Sequence, residues 1–397
     1  MLTPSRSPDL RLHNRETLLR RLFLHAPCSR LDLSQATGLS PGTVTNLVAE
    51  LLEAGVVLEQ GSVGSEGGRP RTLLAPNPDY RRLLGVDLGE THLQMELFDF
   101  TLRRLHRVRL SVTNGRPQDY VALIAEALEE TLAATGMAAD RILGMGVGVP
   151  GVVEHDGHVL VSAPLWGWES IPFYAMLRER VAVPFYIDNG AKAMTLAEAW
   201  FGAGRGADNL AALLVGTGVG AGIITQGTLY RGATNSAGEW GHTKIVPQGR
   251  SCRCGSYGCL ESYVGAPGVL QTWQAHDPGV HLPTDQVAGL QAFLGALERG
   301  DPGATAALAE TAAYLGLGLA NLVNLFNPER VVLGGWAGLT LGAYLLEAVR
   351  PHLERHVLPP SRKKLDIRLC RFGQDAICTG AACLILDQFF QGNERFR

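Results

Sequence analysis

One imidazole and three thiols fall within eighteen positions of this 397-residue chain. His242 closes Gly238-Glu-Trp-Gly-His. Cys252-x-Cys254-x4-Cys259 follows and runs on into Leu260-Glu261. One nitrogen and three sulfurs at this spacing match a tetrahedral zinc site. Gly255 and Gly258 let so short a loop turn its thiolates inward. Unrelated buried thiols or a disulfide are the alternatives, and the spacing favours Zn2+ held by His242, Cys252, Cys254 and Cys259. Four protein ligands leave no position for water, so the ion is expected to be structural. Glu239 and Glu261 lie beside these ligands in sequence, which makes the pinned loop the place to expect a ligand site.

The chain is long enough for two or three compact units. Hydrophobic residues make up 46% and charged residues 18%, which favours a packed core over disorder. A net charge of −3 argues against a protein that coats nucleic acid along its whole surface. Charges at Arg6, Asp9, Arg11, Arg15 and Glu16 leave no early apolar block of the secretory kind. No apolar run is expected to span a bilayer. The other four cysteines, Cys28, Cys370, Cys378 and Cys383, sit in apolar surroundings and read as core thiols. A reducing, cytoplasmic setting with no membrane partner fits best.

Residues 1–80 read as a separate unit. Leu18, Leu19, Leu22 and Phe23 recur at helical spacing. Ser29 is a plausible cap for a short second helix ending at Thr37, and Gly38 suits its C-terminal turn. Ser40-Pro41 opens a third helix. Its apolar stripe is Val44, Leu47, Val48, Leu51 and Leu52, and the pattern from Asn14 to Ala54 reads as helical throughout. Ser40, Gly42, Thr43, Thr45 and Asn46 fall off the stripe near the helix N-terminus. Small and hydrogen-bonding residues there suit a helix that reads the major groove. Two short strands follow, Val56 to Gln60 and Thr72 to Ala75, around a tip carrying Arg69 and Arg71. Arginines on such a tip can clamp phosphate or enter a minor groove. The unit carries eight arginines, no lysine and eight acidic residues, a neutral balance that also fits a plain packing module. The order helix, helix, glycine turn, proline-opened helix, wing is more specific than charge and favours double-stranded operator DNA as partner. Asn77-Pro-Asp-Tyr80 is a hinge into the body.

The body contains one design twice. Leu83-Leu-Gly-Val-Asp87-Leu-Gly89-Glu90-Thr91 ends an apolar strand in a tight turn, and an alternating strand follows. Leu210 to Val215 runs likewise into Gly216-Thr-Gly218-Val-Gly220-Ala-Gly222. Exposed backbone N–H groups in such turns can hold phosphate. Two of them, far apart, suggest a duplicated fold around a cleft.

With the Gly238–Glu261 stretch, Gly144-Met-Gly-Val-Gly-Val-Pro150-Gly151 and Asn327-Pro-Glu-Arg-Val-Val-Leu-Gly334-Gly335, the chain resembles the ROK family of sugar kinases and sugar-responsive repressors. It resembles the family's xylose and N-acetylglucosamine repressors. The resemblance covers Arg69 to about Asp387, and with the winged helix nearly the whole chain. It implies an α/β fold: an N-terminal winged helix-turn-helix (1–80), then a two-lobed actin-like ATPase fold with a structural zinc loop (81–397). Lobe one is expected over about 81–188 plus the C-terminal helix, lobe two over about 189–378. The resemblance also implies a monosaccharide effector on Asn189, Glu239, His242 and Glu261, and a homodimer or dimer of dimers. Carboxylates and imidazole make directional hydrogen bonds to sugar hydroxyls. Glu239 and Glu261 could equally serve the zinc ligands from behind. The apolar helix around Tyr314 to Phe326 is a possible packing face, and more readily a core helix. Trp166 and Trp168 could wall a sugar ring, and more readily belong to the core.

Two functions compete, an ATP-dependent sugar kinase with a DNA-binding domain attached and a repressor of carbohydrate-utilisation genes whose site only senses sugar. The family's kinases use an Asn-Asp pair before a helix, the Asp as general base. Aligned through Asn189 and Glu198, the base position here is Gly190, and Lys192 replaces the usual Asn. Losing a base costs about 10²–10⁴-fold. Asp188 lies two positions early. Glu90 stands in the phosphate turn, where it would repel a triphosphate. Trp336 stands where kinases keep a small residue near the adenine. The second glycine hairpin is intact. Three departures outweigh it, so the expected protein has no catalytic residues and is a sensor.

Overall fold

The computed structural model describes residues 7–64, 70–112, 115–154 and 159–396. Three helices open the chain: α1 (Ser7–His25), α2 (Arg30–Thr37) and α3 (Pro41–Glu53). Local chemistry sets their ends. The Ser29 hydroxyl accepts from the Asp32 amide while the Asp32 carboxylate accepts from the Ser29 amide, a reciprocal cap. Gly38 closes α2 at φ 72°, a left-handed position. Ser40 caps α3 by accepting from the Thr43 amide at 3.1 Å, with Pro41 first in the helix. The stripe Val44, Leu47, Val48 and Leu51 is buried. The wing strands are β2 (Val57–Val63) and β3 (Arg71–Pro76). The expectation of helix throughout 14–54 is corrected in one place. Cys28–Ser29 forms a two-residue strand, β1, against Leu73 and Leu74, so the wing is a three-stranded sheet.

Lobe one follows as β4 (Arg82–Leu88), β5 (His92–Asp99), β6 (Arg104–Ser111), α4 (Pro117–Thr135) and β7 (Ile142–Val149). A small antiparallel sheet comes next, of β8 (Val152–Glu154), β9 (Leu160–Ala163) and β10 (Trp168–Ile171). Helix α5 (Phe173–Arg178) leads to β11 (Phe185–Asn189) and α6 (Gly190–Phe201). Lobe two contains β12 (Leu210–Val215), β13 (Val219–Thr225) and β14 (Thr228–Leu229). After the cysteine loop come α7 (Glu261–Val264), α8 (Ala266–His276), α9 (Gln286–Glu298) and α10 (Pro302–Phe326). The chain continues through β15 (Arg330–Gly334), α11 (Trp336–Thr340), α12 (Gly342–His356), α13 (Pro359–Arg362) and β16 (Asp366–Leu369). It returns as α14 (Ala376–Phe390).

The duplication is explicit in the sheets. One runs β6-β5-β4-β7-β11, the other β14-β13-β12-β15-β16. In each, the first three strands form an antiparallel meander, and the fourth and fifth run parallel to the first. The two glycine turns, Gly89–Thr91 and Gly216–Gly218, therefore sit at equivalent points of two copies of one design.

Helix α14 packs on β4 and β7 at backbone distance. A Cβ on Gly85 would lie 1.9 Å from the Cys378 carbonyl oxygen, and one on Gly146 1.8 Å from that of Ala381. The absence of an apolar run long enough for a bilayer is also corrected. Helix α10 has the length and composition to cross a membrane. Its Leu315, Leu319, Leu322 and Val323 are instead buried in the core of lobe two, while Leu325 and Phe326 reach the surface. Trp168 is core, and its indole N–H donates to the Gly115 carbonyl. Trp166 stacks on Tyr120 at 4.6 Å.

Candidate functional site

On the head, the exposed face of α3 presents Ser40, Gly42, Thr45 and Asn46, with Thr43 half-buried between them. Thr43 and Ser40 share a hydroxyl contact at 2.8 Å, and Thr45 donates back to the Pro41 carbonyl. Asn46 projects from the same face one turn further on. Arg71 sits at the base of the wing, 3.5 Å from Asp32. Arg69 lies outside the described residues.

The imidazole and three thiols converge. The ligand atoms of His242, Cys252, Cys254 and Cys259 all lie within 4.8 Å of one another. Cys254 and Cys259 are 3.8 Å apart at sulfur, and Cys252 Sγ is 3.7 Å from His242 Nδ1. Tetrahedral zinc at about 2.3 Å from each sulfur requires sulfur–sulfur edges of about 3.8 Å, so the donor set fits the ion. Lys244 donates to Cys259 Sγ at 2.7 Å, which balances thiolate charge. The other imidazole nitrogen, Nε2, faces Glu239 Oε2 at 3.9 Å, beyond direct hydrogen-bond distance. Gly238 makes this loop possible: it sits at φ 103°, and a Cβ there would lie 2.0 Å from the Ala221 carbonyl oxygen.

The two carboxylates behave differently. Burial raises the Glu239 pKa above the usual range, with nearby His242 and Lys192 opposing it. Glu261 is already engaged. Its Oε2 accepts from the Val219 amide at 2.9 Å, and its Oε1 lies 3.6 Å from Cys252 Sγ. Glu261 thus ties the cysteine loop to the second glycine hairpin. Asn189 is likewise engaged: it caps α6 by accepting from the Ala191 and Lys192 amides, and its amide donates to the Gly151 carbonyl at 2.7 Å.

Beside it, Asp188 is fully buried and held on all sides. Arg231 pairs with Oδ2, and the Asn235 amide donates to Oδ1 at 3.0 Å. The Asn189 backbone N–H also donates to Oδ1. Lys192, 3% exposed, points its ammonium at the Asn235 carbonyl and lies 3.9 Å from Asp188. Both oxygens of this carboxylate are thus already engaged by protein donors. Gly190, at the aligned base position, carries no side chain. Arg231 and Asn235 escaped the sequence reading, and the available signal was their place just before Gly238-Glu239.

Side chains from the cysteine loop and from α11 approach both glycine turns. Arg253, between two cluster thiols, lies 4.0 Å from Glu90 of the first turn and donates to the Thr217 carbonyl of the second at 3.0 Å. The Thr217 hydroxyl donates to Gln286. The Trp336 indole would meet a Cβ on Gly216 at 3.0 Å, so the ring lies on that hairpin. Asp87, at the end of β4, has its pKa pushed up to about 7 by burial, against the pull of Arg109 and with Glu96 adding to it.

Comparison with known proteins matches residues 83–388 to the ROK family and residues 12–57 to a winged helix-turn-helix DNA-binding family. The chain is similar to the xylose repressor of Caldicellulosiruptor bescii, with 30% identity over 380 residues covering 94% of this chain and 95% of that one. It is also similar to a glucokinase of Halalkalibacterium halodurans, with 32% identity over 329 residues covering 79% of this chain and 98% of the relative. Among solved structures it resembles a ROK family transcriptional regulator homologous to the Escherichia coli Mlc protein. That likeness has a TM-score of 0.80 at 25% identity and covers 96% of this chain and 98% of that one.

Proposed function

The chain belongs to the ROK family, and from that premise we propose a winged-helix transcriptional repressor of carbohydrate-utilisation genes, released or engaged by a monosaccharide and inactive as a kinase. One observation carries the reading. The similarity to the xylose repressor runs through the head as well as the body, whereas that to the glucokinase covers only 79% of this chain. Residues 1–80 form the DNA-reading domain and 81–397 the sensing body. Ser40, Gly42, Thr43, Thr45 and Asn46 face base edges, and Arg69 and Arg71 serve the wing.

His242, Cys252, Cys254 and Cys259 hold a structural zinc ion, which would supply the rigidity that keeps Glu239 and Glu261 in place. Glu239 and His242 Nε2 meet sugar hydroxyls; Asn189 and Glu261 shape the site through the backbone they hold. Sugar between the lobes changes the angle of the two heads in a homodimer or dimer of dimers, through its different affinity for the two arrangements. The setting is the reducing cytoplasm.

Selection of DNA from random duplexes by the full-length protein, repeated with D-xylose, D-glucose or N-acetylglucosamine, tests this. A sequence motif whose binding changes with one sugar is expected. No sequence preference at all would sink the repressor reading. The kinase reading has one observation in its favour, the hairpin Gly216–Gly222 that keeps its glycines. ATP-dependent sugar phosphorylation above background would revive it.

A further inference from the structure

The reading above leaves open how an occupied cleft is felt by the head. Helix α6 spans that gap. Its first turns lie in the cleft, where Lys192 joins Asp188, Arg231 and Asn235. Eight residues on, about 12 Å along the axis, Trp200 is buried where body and head meet. It stacks on Phe390 of α14 at 5.8 Å, and the Arg20 guanidinium of α1 sits over its ring at 5.5 Å. Arg20 also pairs with Asp387 of α14. Phe23 of α1 meets Phe390 at 4.9 Å and Phe100 at 5.1 Å. The head therefore shares one apolar core with the far end of α6.

Two features make α6 a transmitting element. It is buried from Gly190 to Glu198, and a Cβ on Gly380 of α14 would lie 1.9 Å from the Ala193 carbonyl oxygen. Helices in backbone contact have no soft layer between them and move together. The head is held to α14 at a second point as well: the Arg15 guanidinium of α1 donates to the Phe389 carbonyl at 3.2 Å and sits over its ring at 5.0 Å.

We propose that α6 carries the state of the cleft to the DNA head, with Lys192 as its sensing end and Trp200 and Arg20 as positioning residues at the head end. The proposal rests on the reading that the cleft takes the effector. A ligand that engages Glu239, which acts on Lys192 through its charge, alters the balance of one buried carboxylate and two cations, and α6 with α14 shifts under α1.

Coupling between two ends of one element is reciprocal, so it is tested from both ends without DNA or sugar. Hydrogen exchange is followed on the full-length protein and on two variants, Arg20→Gln and Lys192→Asn. Expected is at least threefold faster exchange of the Ala191–Leu196 amides in Arg20→Gln, and of the Leu18–Leu24 amides in Lys192→Asn. The amides of α4, remote from both, should stay at wild-type rates. The proposal is overturned if α6 in Arg20→Gln exchanges as in wild type, or if α4 accelerates equally, which would mean general destabilisation. Arg20 is partly exposed, so that variant keeps the test decisive should Lys192→Asn fold poorly. Failure to bind any operator would sink the functional reading and leave this result standing.

Discussion

The carboxylate of Asp188 is clamped by the guanidinium of Arg231, 43 residues away, two positions before Gly190. Removing one partner of a buried pair leaves the other uncompensated and costs about 3–5 kcal/mol. Arg231 keeps some exposure, so Asp188→Asn should lose about 3 kcal/mol in urea unfolding. Wild-type protein with ATP, magnesium and a sugar panel should give no phosphorylated product. Robust turnover abolished by Asp188→Asn would show that Asp188 is the base after all.

Zinc should be present at about one ion per chain, since the donor set closes a tetrahedron. Cys254→Ser should lose the metal and lower the melting temperature. Glu261 connects Cys252 to the Val219 amide, so the loss should also speed hydrogen exchange in the hairpin around Val219. Metal analysis of freshly purified, unchelated protein decides the matter, and a metal-free protein with an ordered loop would contradict it.

On the head, Asn46→Ala should relax sequence preference at one base position. Arg69→Ala should weaken binding to all sequences and lower the salt slope by about one. Ser40→Ala removes the cap of α3 and should cost about 1 kcal/mol of head stability. Titrations of operator and scrambled duplex at several salt concentrations separate these effects. A truncation lacking 1–80 that kept full operator affinity would relocate the reading head.

Asp87 supplies a pH dependence. Its pKa rises from an ordinary aspartate value to about 7 on folding, chiefly through burial. The folded state then holds a proton that the unfolded chain releases, so stability falls as pH rises from about 4 to 7 and levels off above that. Asp87→Asn removes the titration. Its melting temperature relative to wild type should rise across that window, most clearly at pH 8 against pH 5. A constant difference at all pH values would show that Asp87 does not titrate there.

What the sequence disclosed was what chain neighbours decide. Ser29, Gly38 and Ser40-Pro41 work through bonds a few residues long, and the glycine turns follow apolar strands directly. The four cluster residues also lie within one loop. Hidden were pairings between distant segments. Asp188 with Arg231 spans 43 positions and Arg20 with Asp387 spans 367. Strand β1 exists only because Cys28 finds Leu74 across the wing. Composition was also a fair guide at α10, where the core helix expected around Tyr314 to Phe326 lies in the core of lobe two.

Nucleotide should not bind in the cleft. A triphosphate needs backbone N–H groups from both glycine turns and space for the base. Here the Val219 amide is taken by Glu261, Glu90 faces Arg253 across the first turn, and the Trp336 ring covers Gly216. A ligand with Kd of about 0.1 mM would stabilise the protein by about 2 kcal/mol at 5 mM, a melting shift of several degrees. Magnesium–ATP at 5 mM is expected to give less than about one degree. Glu90→Gly with Gly190→Asp restores a neutral turn and a carboxylate at the base position, yet Trp336 still covers the hairpin. That double variant should therefore show at most a trace of phosphoryl transfer, rising only when Trp336→Ala is added. A clear ATP-induced shift in the wild-type protein would overturn the account of the two turns, whatever the double variant does.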